Sequence, residues 1–141
     1  MDIRKITDRY AVSPQIAPED LPGIAAAGFR TVICNRPDDE VPVELQSNAL
    51  RIATEAAGLT FVDNPVTHAG LNADMVRLQK ETLDASDGPV FAYCASGNRS
   101  SIVWSLGHAG QIPVDEIIEA TSRAGYDLTK LRPMLEAAAR S

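Results

Sequence analysis

Three short apolar runs, FRTVICN (29 to 35), LTFVDNP (59 to 65) and PVFAYC (89 to 94), restrict this chain more than any other feature of its sequence. Each is rich in β-branched and aromatic residues and bounded by Gly, Asn or Pro, which reads as a buried strand. A shorter strand is expected near Tyr10 to Ser13. Between the runs the apolar spacing becomes helical. Leu45, Ala49, Ile52, Ala53 and Ala56 mark one helix ending before Gly58, and a second runs from Asn72 to Ser86 with Met75, Leu78 and Thr82 on one face. Pro18 to Ala27 reads as a helix closed by Gly28, and Val114, Ile117, Ile118 and Thr121 as another opened by Pro113. Pro133 cannot occupy a helix interior, so a turn and a fresh start are expected around Leu128 to Arg132.

Strands alternating with helices imply βαβ crossovers, and hence an α/β fold. The expected architecture is a central, mostly parallel sheet of about four or five strands with helices on both faces. No linker or repeat divides the 141 residues, so residues 1 to 141 are expected to form a single domain. Ligands of such sheets bind beyond the carboxyl ends of the strands. Cys94 stands at one of those ends.

After Tyr93 the chain reads Cys94, Ala95, Ser96, Gly97, Asn98, Arg99, Ser100, and then the apolar segment Ile102, Val103, Trp104, Leu106. That order is strand, tight loop, helix. A loop folded around its own N–H groups makes a nest for an anion, and the helix N-terminus adds positive partial charge. A cysteine in such a nest is a candidate nucleophile, and the planar guanidinium of Arg99 suits two oxygens of a bound oxyanion. Ala95, Ser96, Gly97, Asn98 and Ser100 are the candidate binding residues, with Ser100 able to donate to the sulfur or cap the helix. The competing reading is a buried structural thiol.

The net charge of −6 disfavours nucleic acid and anionic membranes as partners, since either requires a basic face. The N-terminal MDIRKITDRY lacks the apolar core of a signal peptide, so a cytoplasmic protein is expected. Two cysteines and two histidines without metal-ligand spacing give no expectation of a metal or other cofactor. Cys34 should share the rim with Cys94, as a structural thiol, a persulfide acceptor or a disulfide partner. Arg36 is expected to line the substrate approach, and Asp38, Asp39 and Glu40 to form a solvated turn. For Trp104 and His108 the expectation is core packing.

The loop CASGNRS resembles the active-site loop of single-domain rhodaneses, with the same C-x4-R length, whereas tyrosine and dual-specificity phosphatases use C-x5-R. The preceding NPVTHAGLNADMVRLQKETLDASDGPVFAYC resembles the corresponding stretch of dual-specificity phosphatases. Nearly the whole chain, from YAVSPQIAPEDLPGIAAAGFRTVICNRPDDE onward, is similar to the beta-lactamase-hydrolase-like protein phosphatase-like domain family. That resemblance implies a single-domain protein-tyrosine-phosphatase-like fold. It also implies a functional partner of the persulfide dioxygenase type. Where dual-specificity phosphatases carry their general-acid aspartate this sequence has Thr67 and His68, and His68 is the candidate replacement. Ala95 stands where rhodaneses often have a basic residue.

Loop length and the missing aspartate together give the leading expectation. It is a thiol-dependent sulfurtransferase that takes sulfur from a small sulfane-sulfur donor as a Cys94 persulfide, stabilised by Arg99, and passes it to a thiol acceptor. The alternatives are a phosphatase acting on a phosphorylated substrate through a Cys94 phosphocysteine, and a non-catalytic anion or persulfide sensor.

Overall fold

The computed structural model describes residues 1–67 and 70–141. Five strands form one sheet: β1 (Arg4–Thr7), β2 (Tyr10–Ser13), β3 (Thr31–Cys34), β4 (Thr60–Asp63) and β5 (Val90–Tyr93). Their order is β1-β2-β5-β3-β4, with β1 antiparallel to β2 and the other pairs parallel. The α/β class and the mostly parallel sheet are as the sequence implies. Six α-helices complete the described fold: α1 (Leu21–Ala26), α2 (Ser47–Ala56), α3 (Ala73–Ala85), α4 (Asn98–His108), α5 (Val114–Arg123) and α6 (Arg132–Ala139). Among the described residues no helix is long and apolar enough to cross a membrane.

Because the sheet is covered on both faces, its strands are buried at successive positions and the pleat sorts their side chains into two cores. Tyr10, Val12, Ile33, Val90 and Ala92 face Trp104, Ile117 and Leu135 from the helices on one side. Ala11, Val32, Cys34, Phe61, Phe91 and Tyr93 face Leu21, Ile24 and Leu50 on the other. On the first side the Tyr10 ring stacks on Trp104 with centroids 5.9 Å apart. On the second, Phe29 meets Phe91 edge-on at 5.4 Å.

The register aligns the carboxyl ends of four strands. Ser13 and Cys34 both pair with Tyr93, and Cys34 pairs with Asp63. The ladder continues one step past the strands, with Asn35 N–H donating to the Tyr93 carbonyl at 2.8 Å and Asn64 N–H to the Cys34 carbonyl at 2.8 Å. Residues that follow β2, β3, β4 and β5 are therefore gathered at one rim, around the central strand β5.

Three details differ from the sequence reading. β1 is an additional edge strand, whose RKIT sequence is half-exposed and carries the charges that discourage edge pairing. In α2 the buried residues are Leu50 and Thr54, whereas Ile52 is 61% exposed. In α3 the buried residues are Gln79 and Leu83, while Leu78 points outward. The α2 face makes a direct prediction. Leu50→Ala is expected to destabilise the protein by about 2–5 kcal/mol, whereas Ile52→Ala stays within about 0.5 kcal/mol of wild type. Urea unfolding followed by circular dichroism separates the two, and equal effects would contradict the placement of this helix.

Candidate active site

Everything proposed for the Cys94 loop depends on how the chain leaves β5. Cys94 is fully buried, while Ala95, Ser96 and Asn98 reach the surface. Its Sγ accepts a hydrogen bond from the Gly97 N–H at 3.1 Å, which closes the loop back on the sulfur. Gly97 has φ +94°, a left-handed conformation that side chains resist, and is the N-cap of α4. A Cβ there would also run into the Tyr126 hydroxyl, which donates to the Ser96 carbonyl at 2.8 Å. The loop is thus held from outside by Tyr126 and from inside by its own turn.

Arg99 comes from the first turn of α4 and is 6% exposed. Its Nη1 donates to Glu40 Oε2 at 2.9 Å and to the Val66 carbonyl at 2.7 Å, and its Nη2 donates to Glu40 Oε1 at 2.7 Å. The Nε–H and the second Nη2–H donate to no oxygen or nitrogen among the described residues, and the guanidinium lies close to the Cys94 sulfur. The Glu40 bond, and after it the nearby Cys94 sulfur, hold the guanidinium above its already high ordinary value. Glu40 is correspondingly held below the usual carboxylate range, first by its bond to Arg99 and also by Arg36.

The rim residues differ from expectation in role. Glu40 is not part of a solvated turn, because it is the counterion of Arg99. Its partner lies 59 residues on in sequence, which no local pattern reveals. Asp38 accepts from the Ser47 N–H at 2.7 Å and caps the start of α2, and Asp39 alone is simply exposed. Arg36 backs Glu40 through its Nε at 3.2 Å and donates to Gln15 Oε1 at 3.2 Å. Gln15 N–H in turn reaches the Ala95 carbonyl at 3.4 Å, so a polar chain rings the loop from its first residue to its last.

Cys34 is at the same rim but on the other face of the sheet. It shares the face of its register partner Tyr93, and the pleat directs Cys94, the next residue, to the opposite side. Both thiols are free. Cys34 donates to the Arg36 carbonyl at 3.3 Å, and burial pushes its thiol up to about 11. In that arrangement the Cys34 thiol is engaged with its own rim segment and not with Cys94. Ser100 is fully buried and donates to Asn35 Oδ1 at 2.8 Å, not to the sulfur. His68 lies outside the described residues. Thr67, its neighbour, is exposed.

A thiol on which the following turn closes, with a fixed guanidinium nearby and a mostly parallel sheet behind, sits in an α/β domain of the protein-tyrosine-phosphatase-like fold. Residues 2–111 match the family described as beta-lactamase hydrolase-like protein, phosphatase-like domain, and the chain belongs to that family. It is 30% identical to the beta-lactamase hydrolase-like protein of Agrobacterium fabrum over 94% of this chain and 31% of that protein. The chain therefore spans about a third of the length of the curated relatives it matches. Among solved structures, a crystal structure from Neisseria meningitidis described as a candidate phosphatase is 35% identical, covers 98% of this chain and 99% of its own, and has a TM-score of 0.85. PTPMT1 in complex with PI(5)P shares the fold at 12% identity, with a TM-score of 0.79 and coverage of 99% and 96%.

These matches overturn the sulfurtransferase expectation. It rested on a loop one residue shorter than that of tyrosine phosphatases and on the missing general-acid aspartate. The family that matches residues 2–111 and the 35% identical structure are instead phosphatase-like. The number of loop residues changes how many N–H groups converge. It does not change the frame that presents Cys94 and Arg99.

Two predictions test the site geometry. Gly97→Ala is expected to lower the unfolding free energy by about 2 kcal/mol, from φ strain and the clash with Tyr126; parity with wild type in urea denaturation would contradict the fit described. The second concerns pH. A carboxylate held low in the folded state contributes stability above its unfolded pKa of about 4.3 and loses it as pH falls through the folded value. The stability gap between wild type and Glu40→Gln should therefore stay constant from neutral pH down to that unfolded pKa and then close. A gap independent of pH would show that the ion pair contributes nothing.

Proposed function

We propose that the protein is a phosphoric monoester hydrolase in which Cys94 is the nucleophile and Arg99 holds the phosphoryl group. The observation that carries this reading is the state of Arg99. Three of its N–H groups are committed to Glu40 and Val66, and the adjacent Nε–H and Nη2–H remain for two oxygens of a ligand beside the sulfur. Such a parallel donor pair matches a phosphoryl group bidentately, and its orientation is fixed before substrate arrives.

In the first step the Cys94 thiolate attacks phosphorus, an S–P bond forms, and the P–O bond to the alcohol or phenol breaks. The loop N–H groups and Arg99 stabilise charge on the equatorial oxygens. A water then attacks phosphorus, the S–P bond breaks, and inorganic phosphate leaves with the thiolate restored. Thr67 and His68 stand where related enzymes carry an acidic group, so aryl phosphates are the favoured substrate class, because a phenoxide departs without full protonation. A mechanism that needs a free thiolate suits a reducing compartment such as the cytoplasm. The additional chain of the curated relatives, which are named as hydrolase-like, makes a companion hydrolase-type domain or protein part of this reading.

Steady-state hydrolysis of para-nitrophenyl phosphate tests it. Cys94→Ser is expected to fall to background, and Arg99→Lys, which keeps charge but loses the fork, to lose about 10²-fold in kcat/KM. Undiminished turnover in Cys94→Ser would refute the assignment.

A further inference from the structure

Beneath the loop lies a buried cluster of three amides that the hydrolytic scheme leaves unused. Asn35 follows β3, Asn64 follows β4, and Gln79 sits on the inner face of α3, all essentially inaccessible to solvent. Asn35 Nδ2 donates to the Asn64 carbonyl at 2.8 Å and to Gln79 Oε1 at 2.9 Å, while its Oδ1 accepts from Gln79 Nε2 at 3.0 Å and Ser100 Oγ at 2.8 Å. Gln79 Oε1 also accepts from Asn64 Nδ2 at 2.8 Å, and Gln79 Nε2 donates to Tyr10 Oη at 3.0 Å. Asn64 Nδ2 makes its second bond to the Met75 carbonyl at 2.9 Å. Tyr10 Oη donates in turn to the Ser100 carbonyl at 2.8 Å.

Every hydrogen-bonding position of the Asn35 and Gln79 amides is filled, and turning either amide over would break several bonds at once. The cluster consequently has one arrangement. Its two outlets toward α4 both end on Ser100, one on the hydroxyl and one on the carbonyl. A hydroxyl carries a single proton, so while Ser100 donates to Asn35 it donates to nothing else. Ser100 is the residue after Arg99 and lies in the turn that sets where the loop N–H groups point.

We propose that Asn35, locked by Gln79 and Asn64, is a positioning residue that acts through the Ser100 hydroxyl to fix the anion loop around Cys94. This rests on the reading of Cys94 and Arg99 as the reactive pair. Arg99 is anchored through Glu40 and Val66, contacts in which the Asn35 side chain and the Ser100 hydroxyl take no part, so loosening Ser100 disturbs the loop donors while leaving that anchor in place. The effect belongs to the chemical step more than to substrate binding.

The test is a double-mutant cycle of Asn35→Ala and Ser100→Ala, with two readouts. In para-nitrophenyl phosphate hydrolysis each single variant is expected to lose about tenfold to a hundredfold in kcat with KM nearly unchanged. The double variant should lose no more than the worse single. Independently of turnover, amide hydrogen exchange at residues 95 to 101 should rise in both single variants while exchange in β4 stays as in wild type. Losses that multiply in the double variant, a change carried by KM alone, or unaltered loop exchange would each overturn the proposal. If Asn35→Ala does not fold, Ser100→Ala decides, because it removes one oxygen and must reproduce the kcat loss and the faster loop exchange. A wild type that hydrolyses no aryl phosphate would remove the hydrolase reading, and the exchange experiment would still decide the role of Asn35.

Discussion

A guanidinium taken almost wholly out of water is the constraint around which this molecule is arranged. A buried charge is tolerated only when it is paired. Arg99 is paired by a bidentate contact with Glu40 and a bond to the Val66 carbonyl. Meeting that requirement draws the segment after β3 and the segment after β4 onto the first turn of α4. The rim of the sheet is therefore shaped by electrostatics as much as by packing. Arg36 extends the arrangement by backing Glu40, and Gln15 carries it to the start of the loop.

Much of this was legible in the sequence, because the features concerned are local. Apolar runs bounded by turn residues located β3, β4 and β5. Gly97 and Arg99, set between an apolar strand and an apolar helix, located the loop. What was missed depends on contacts distant in sequence. Glu40 sits in an acidic stretch that looks solvated until its partner, far along the chain, is known. Gln79 and Thr54 occupy buried helix positions that a count of apolar residues assigns to their neighbours. Gln79 is buried because Asn35, Asn64 and Tyr10 satisfy its amide, and Thr54 because it donates to the Leu50 carbonyl at 2.6 Å within its own helix.

The choice between sulfur and phosphorus shows the limit of reading chemistry from spacing. The interval from Cys94 to Arg99 is one residue shorter than in tyrosine phosphatases, and that single local feature pointed to sulfur. Family membership and the 35% identical structure concern the whole frame, and they favour phosphoryl chemistry. Cys34, the candidate persulfide acceptor, packs in the core on the other face of the sheet and donates to the Arg36 carbonyl.

The central claim is that Cys94 becomes covalently phosphorylated while Arg99 holds the phosphoryl oxygens. Rapid acid quench of the protein with para-nitrophenyl phosphate, followed by intact and peptide mass spectrometry, observes that species directly. The account predicts the mass of one phosphoryl group on the peptide bearing Cys94, at a level that rises before steady state and is absent in Cys94→Ser. Steady turnover with no such adduct on Cys94 at any quench time would contradict it.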